Sequence, residues 1–241
     1  MQSRTGATGL VVIVALVLVP GAWARTCRFD AATRTVYAPP GVTTAYDRLW
    51  VEDGRIMWND LATTAPCGAA TVTNTDTIRI KPPLVGLFSE VVIDEHGGPF
   101  APGATPEAMG ESEIEILVSN RFLRGVDDVV GTPGSDTIAI GDRGIALNND
   151  GDLDVRFGAP LSPGGTIRVD GGAGDDFLSG QGGFGAGAPV AAPLVLLGGD
   201  SVNELVGGTG PDDLNDFYPR ASGGKLRGMQ GDDRLEGSDR G

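Results

Sequence analysis

The chain has 241 residues, 39 of them glycine, and 32 acidic residues outnumber 18 basic ones to give a net charge of −14 and an isoelectric point near 4.3. No basic stripe suited to nucleic acid is visible, the glycines do not recur every third residue as in collagen, and one His with two Cys is too few for a His/Cys zinc site. A hydrophobic content of 40% also separates the chain from acid-rich disorder.

Residues 1–24 read as a Sec-type signal peptide. Arg4 is the only charge before Arg25, Leu10–Val19 is unbroken and apolar, and Ala22-Trp23-Ala24 fits the small-x-small cleavage pattern. The apolar run is far shorter than the ~20 residues of a spanning helix, and Pro20 interrupts it. A secreted protein with no membrane span is therefore expected. Arg25 ahead of Cys27 is a poor match to a lipid-anchor signal. Cys27 and Cys67 are the only cysteines, in a chain addressed to an oxidising compartment. A disulfide between them would close a loop of about 40 residues; the other reading is two unrelated buried thiols.

Short β-like runs follow, rich in Val, Ile and Thr and bounded by Gly, Pro, Asn or Asp. They are Thr33–Tyr37, Arg48–Val51, Ala70–Val72, Thr77–Ile80, Glu90–Ile93, Ile114–Val118, Thr137–Ile140, Leu153–Phe157 and Thr166–Val169. Outside the leader no segment of twelve residues keeps a helical period. Residues 96–111 are too rich in Gly and Pro for a strand and read as a projecting loop. The pattern predicts an all-β chain, either a sandwich or a solenoid.

Composition shifts midway. Twenty-eight of the glycines and 19 acidic residues against 8 basic ones lie from Gly125 onward. Residues 25–124 therefore form an ordinary β-rich segment, and 125–241 a Gly/Asp-rich one. The second segment repeats Gly-x-x-Gly-x-Asp-x-apolar: Gly131-Thr-Pro-Gly134-Ser-Asp136-Thr-Ile138, Gly171-Gly172-Ala-Gly174-Asp-Asp176-Phe-Leu178, Gly207-Gly208-Thr-Gly210-Pro-Asp212-Asp-Leu214 and Gly228-Met-Gln-Gly231-Asp-Asp233-Arg-Leu235. A variant, Gly198 to Leu205, carries Asn203 in place of Asp.

These repeats resemble the Gly-Gly-x-Gly-x-Asp nonapeptides of the hemolysin-type (RTX) calcium-binding family. The resemblance implies a right-handed parallel β-helix or β-roll in which glycines make tight turns, the apolar residue faces the core, and calcium sits between stacked turns. Calcium takes 6–8 oxygens at ~2.3–2.6 Å, more than one turn supplies, so folding and metal should be coupled. Asp136, Asp176, Asp212 and Asp233 are the expected ligands, with the turns at Gly171, Gly172, Gly174, Gly207, Gly208, Gly210 and Gly231 around them. A glycine-rich solenoid with Asp as a plain turn residue is the other reading. The first half, through Cys27-Arg-Phe-Asp, Cys67-Gly-Ala-Ala and Gly98-Pro-Phe-Ala, is similar to secreted bacterial calcium-binding proteins.

Departures from the family pattern limit the expected number of ions to between one and four. Residues 189–197 have no Gly or Asp, although Leu196 stays in phase, and the 21-residue step from Gly207 to Gly228 breaks the nine-residue period. Asn148-Asn-Asp150-Gly-Asp152 resembles the middle of an Asp-x-Asn-x-Asp-Gly calcium loop, but Ala146 holds its first ligand position and no Glu closes it. A hairpin or coil turn explains that wording equally well.

Catalytic signatures are sparse. His96 reads as an exposed turn residue, no Gly-x-Ser-x-Gly elbow is present, and Glu111, Glu113 and Glu115 read as one solvated sheet face. Arg121, Arg124 and Arg143 are the only basic set. The leading expectation is a secreted calcium-binding β-solenoid with a structural or surface-associated role and no enzymatic activity. The alternatives are a polysaccharide lyase or epimerase on a β-helix, and an adhesin or matrix module that contacts glycans or self-associates.

Overall fold

The computed structural model describes residues 26–39, 46–60, 63–81, 90–107, 112–119, 126–158, 165–216 and 223–237. The leader at 1–24, Glu111, Arg121 and Arg124 lie outside them. Among the described residues there is no helix, and all regular structure is strand.

Nineteen strands form two sheets. In spatial order the first holds β1 (Arg28–Asp30), β2 (Thr35–Ala38), β6 (Thr77–Ile80), β8 (Glu115–Val118), β12 (Val155–Phe157), β11 (Gly144–Ala146), β10 (Thr137–Ile140), β14 (Phe177–Ser179), β16 (Glu204–Val206) and β18 (Lys225–Arg227). The second holds β19 (Arg234–Gly237), β17 (Asp213–Asp216), β15 (Leu194–Leu197), β13 (Ile167–Asp170), β9 (Val126–Val130), β7 (Glu90–Asp94), β3 (Tyr46–Glu52), β4 (Arg55–Asp60) and β5 (Thr63–Thr71). Most neighbours are parallel. The antiparallel pairs are β1–β2, β3–β4, β4–β5, β10–β11 and β11–β12. From β13 to β19 each successive strand joins the opposite sheet.

Period-2 alternation fixes which side chains face inward. In the second sheet Leu49, Ile93, Val129, Val169, Leu196 and Leu214 stand in one register and are all fully buried. In the first sheet Val36, Ile78, Ile116 and Val155 form one such row, and Ile138, Leu178 and Leu205 another. The two sets merge into a single hydrophobic core. The last member of the second sheet's row, Leu235, is 49% exposed because β19 is the terminal strand of that sheet.

Partners in the repeat segment lie at unequal chain distances. Val195 faces Asp213, Glu204 faces Lys225, and Phe177 faces Glu204. The 21-residue step does not disturb the stacking, since Leu214 still faces Leu235. Registration follows the buried apolar residue, and the connecting turns absorb the length differences. Cys27 and Cys67 are joined by a disulfide that ties the entrance of β1 to β5. No described helix is long and apolar enough to cross a membrane.

The 96–107 segment contains no strand, as expected, but it is held against the body. Phe100 is buried in the core, and the Asp76 carboxylate accepts the Ala104 and Thr105 N–H groups and the Thr105 hydroxyl. His96 is exposed in a turn.

Candidate metal centre

The repeat acid always occupies the residue just before a strand. Asp136, Asp176 and Asn203 precede β10, β14 and β16, and Asp212 and Asp233 precede β17 and β19. Because these strands stack in register, the five residues form two columns. Asp176 Oδ1 accepts the Asp136 N–H at 2.9 Å, Asn203 Oδ1 accepts the Asp176 N–H at 2.9 Å, and Asp233 Oδ1 accepts the Asp212 N–H at 3.0 Å. The residue that register places opposite Asp212 on the other side is Leu194, and Asp212 Oδ1 accepts its N–H at 2.9 Å in the same way. At Asp176, Asn203, Asp212 and Asp233 one side-chain oxygen is thus spent on holding the adjacent turn, whereas Asp136 Oδ1 accepts the Thr132 hydroxyl of its own turn at 2.8 Å.

The second carboxylate oxygen folds back over the glycine five residues upstream. A Cβ on Gly131 would meet Asp136 Oδ2 at 2.5 Å and Gly171 O at 2.7 Å. On Gly171 it would stand under 3.0 Å from both Asp176 Oδ2 and Gly198 O, and on Gly207 equally close to Asp212 Oδ2 and Gly228 O. The same two kinds of oxygen therefore come together at three of the repeats: a carboxylate from one turn and the first-glycine carbonyl of the next. None of these glycines has a positive φ, so the space left by the missing side chain, rather than backbone freedom, is what the position requires. Gly172, Gly174 and Gly231 do lie at positive φ and form the tight part of the turn.

Electrostatics at the columns are one-sided. Asp136, Asp176 and Asp212 are 9%, 2% and 3% exposed. Among the described residues none of the three pairs with Lys or Arg. Asp136 Oδ2 and Asp176 Oδ2 are buried with no hydrogen-bond donor, whereas Asp212 Oδ2 accepts the Gly208 N–H at 2.7 Å. Burial raises the pKa of all three, and Asp176 reaches about 7 with the neighbouring Asp136, Asp175 and Asp170 adding to the effect. At the Asn203 turn the charge problem is solved internally, because Asn203 Nδ2 donates to Asp216 Oδ1 at 2.7 Å. Asp233 stands at the partly exposed end of its column.

Asp136 lines two cavities. One, of about 350 Å³, is shared with Glu95, Glu113 and Asp154. The other, of about 230 Å³, is shared with Asp175, Asp176, Asn203 and Glu204.

Asp150 and Asp152 lie in the turn between β11 and β12. Asn148 Oδ1 accepts the Asp150 N–H, and Asp150 Oδ1 accepts the Asp152 N–H. Glu113 and Asp154, which sequence reasoning did not connect, stand beside them. Glu113 was expected on a solvated sheet face, but it precedes β8 and is half-buried. Parallel pairing of β8 with β12, including the Ile116 N–H to Asp154 O bond, brings it to the turn. Burial pushes Glu113 up to about 11, with Asp154, Asp150 and Asp152 pressing in the same direction. No local sequence signal marks this meeting, because a pairing between β8 and β12 creates it.

Comparison with known proteins found no matching family model, no matching curated protein and no matching solved structure.

Proposed function

We propose that this chain is a secreted calcium-binding protein, built as a right-handed parallel β-roll, in which calcium bound between stacked repeat turns completes the fold and gives it a structural or surface-associated role. The observation that carries the reading is the recurring pair of converging oxygens, Asp Oδ2 and the next turn's first-glycine carbonyl, at Gly131, Gly171 and Gly207. At the first two of these the carboxylate oxygen is buried and has no donor. An anionic oxygen without a donor calls for a cation, and an all-oxygen set of carboxylates and backbone carbonyls suits calcium rather than zinc, which favours nitrogen and sulfur.

The repeat wording, the alternation of successive strands between two sheets, and the enrichment of Gly together with Asp support the same reading. Each glycine vacates the space that the Asp five residues later occupies. The signal-like leader and the Cys27–Cys67 disulfide support a secreted location.

Titration of the leader-free protein with Ca²⁺, followed by calorimetry and circular dichroism, tests the proposal. Extracellular sites commonly bind at ~10⁻⁴–10⁻³ M, so heat release and a rise in β signal or melting temperature are expected at millimolar calcium. An absence of binding heat together with an unchanged melt would overturn it.

A further inference from the structure

We infer that the chain carries a second kind of calcium site outside the repeats, formed by Glu113, Asp150 and Asp152 and backed by Asp154, which clamps the turn between β11 and β12 to the segment leading into β8. One carboxylate oxygen from each of Glu113, Asp150 and Asp152 lies within 4.8 Å of the other two. That spread fits on one calcium coordination sphere, whose diameter is ~4.6–5.2 Å for Ca–O distances of ~2.3–2.6 Å.

Asp154 supplies an independent observation. It is 3% exposed, and its Oδ1 has no hydrogen-bond donor. The Asp154 and Glu113 carboxyls face each other closely enough for a proton on Glu113 to bridge them, and no other group donates to this oxygen or to the buried Glu113 Oε1. A third buried oxygen, Asp152 Oδ1, has no fixed donor either, and the Asp152 carboxyl faces that of Glu107. Meanwhile the other oxygen of two of these groups is held by the protein: Asn148 Nδ2 donates to Glu113 Oε2 at 2.7 Å, and the Leu147 N–H donates to Asp154 Oδ2. Glu113 and Asp154 are therefore each oriented through one oxygen, and the other has no donor outside the acid cluster. Among the described residues no Lys or Arg forms an ion pair with Glu113, Asp152 or Asp154.

The chemistry selects the ion. Every available donor is an anionic or amide oxygen, and the adjoining cavity of about 350 Å³ leaves room for water ligands. A hard, weakly directional dication satisfies that set. The site also resolves the incomplete calcium-loop wording at Asn148–Asp152. The carboxylate missing from the end of that loop is provided by Glu113, from a distant part of the chain.

This site shares the cavity of about 350 Å³ with Asp136 but takes none of the repeat carboxylates as ligands, and the test separates the two. Calcium is titrated calorimetrically into the leader-free protein, into the Glu113→Gln/Asp152→Asn double variant, and into Asp176→Asn. The double variant is expected to bind one ion fewer per chain while the remaining sites keep their affinity within about twofold. Asp176→Asn is expected to leave this ion in place, so a loss confined to either variant identifies which site has failed. An unchanged stoichiometry and affinity in the double variant overturns the inference. Should that variant not fold, hydrogen exchange of the unaltered protein decides. Calcium is expected to protect amides 147–154 at least tenfold, and equal exchange with and without calcium overturns the site.

Discussion

Asp176→Asn separates the two tasks of a repeat carboxylate. Asp176 Oδ1 accepts the Asp136 N–H, and one step along the same column Asn203 performs the same service for the Asp176 N–H with an amide oxygen, both at 2.9 Å. An Asn at 176 therefore preserves the ladder while replacing the buried, donorless Oδ2 with an N–H₂ group. Gly198 O, which converges on the same point, becomes available as its acceptor. Relieving one unsatisfied buried polar atom is worth ~1–3 kcal/mol. For a domain of this size that corresponds to a rise of roughly 3–10 °C in the calcium-free melting temperature. Calcium should act in the opposite sense. A site with Kd of ~10⁻⁴–10⁻³ M stabilises by ~1.4–2.7 kcal/mol at 10 mM ion, and the variant should lose that increment. Differential scanning calorimetry in EDTA and in 10 mM CaCl₂ measures both numbers. A variant that melts lower without calcium, or that keeps the full calcium increment, would refute the division of labour between the two oxygens.

Three further outcomes follow from the same geometry. Gly131→Ala should destabilise by ~1–3 kcal/mol through overpacking and weaken calcium binding, because its Cβ would enter the space of Asp136 Oδ2 and Gly171 O. Gly134→Ala in the same repeat meets only Thr132 Oγ1 at 3.5 Å and should change stability by less than ~1 kcal/mol in chemical denaturation. Glu95 is 5% exposed, and burial raises its pKa from 4.5 to about 8. The folded state thus holds a proton that the unfolded state has released between those values, so calcium-free stability should fall as pH rises from about 4.5 to 8. Glu95→Gln should flatten that slope in melts across the window, and an unaltered slope would exclude Glu95 as its source. Reducing the Cys27–Cys67 disulfide should lower stability by ~3–4 kcal/mol through the freed 40-residue loop, seen as an earlier denaturation midpoint with dithiothreitol.

Much of the strand pattern was legible because alternating β-branched residues carry the two-residue period. Thr77–Ile80 and Thr137–Ile140 coincide with β6 and β10. Strand β5 was seen only at its last residues, Ala70 and Thr71. Its earlier part contains Pro66, which a strand accepts because β5 lies at a sheet edge. In the β10–β11–β12 antiparallel insertion the outer strands were read at Thr137–Ile140 and Leu153–Phe157, and a hairpin was among the readings of Asn-Asp-Gly. Strand β11 itself was missed, since Gly144-Ile-Ala is too short to show a period. The 21-residue step looked like a loss of phase only because spacing along the chain was taken as spacing in the stack. Pairing is set by where Leu214 and Leu235 face the core, and extra turn residues leave that unaffected.

The site was legible in its residue types and hidden in its division of roles. Asp136, Asp176 and Asp212 were expected as ligands, but nothing in the spacing reveals that one oxygen of Asp176 and of Asp212 is already bound to a backbone N–H of the adjacent turn, and one of Asp136 to the Thr132 hydroxyl. That assignment depends on register, and it changes what calcium has to do. These bonds satisfy Oδ1 without metal, so the ion is required only by Oδ2, whose buried charge has no other partner at Asp136 and Asp176. Asn203 shows the alternative within the same column. There the amide donates to Asp216, so a hydrogen bond supplies the partner that the proposed ion supplies elsewhere. A column that mixes both solutions should bind fewer ions than it has repeats. Calcium should then act as a local neutraliser at particular turns, with the hydrophobic rows holding the stack in register whether or not every turn is filled.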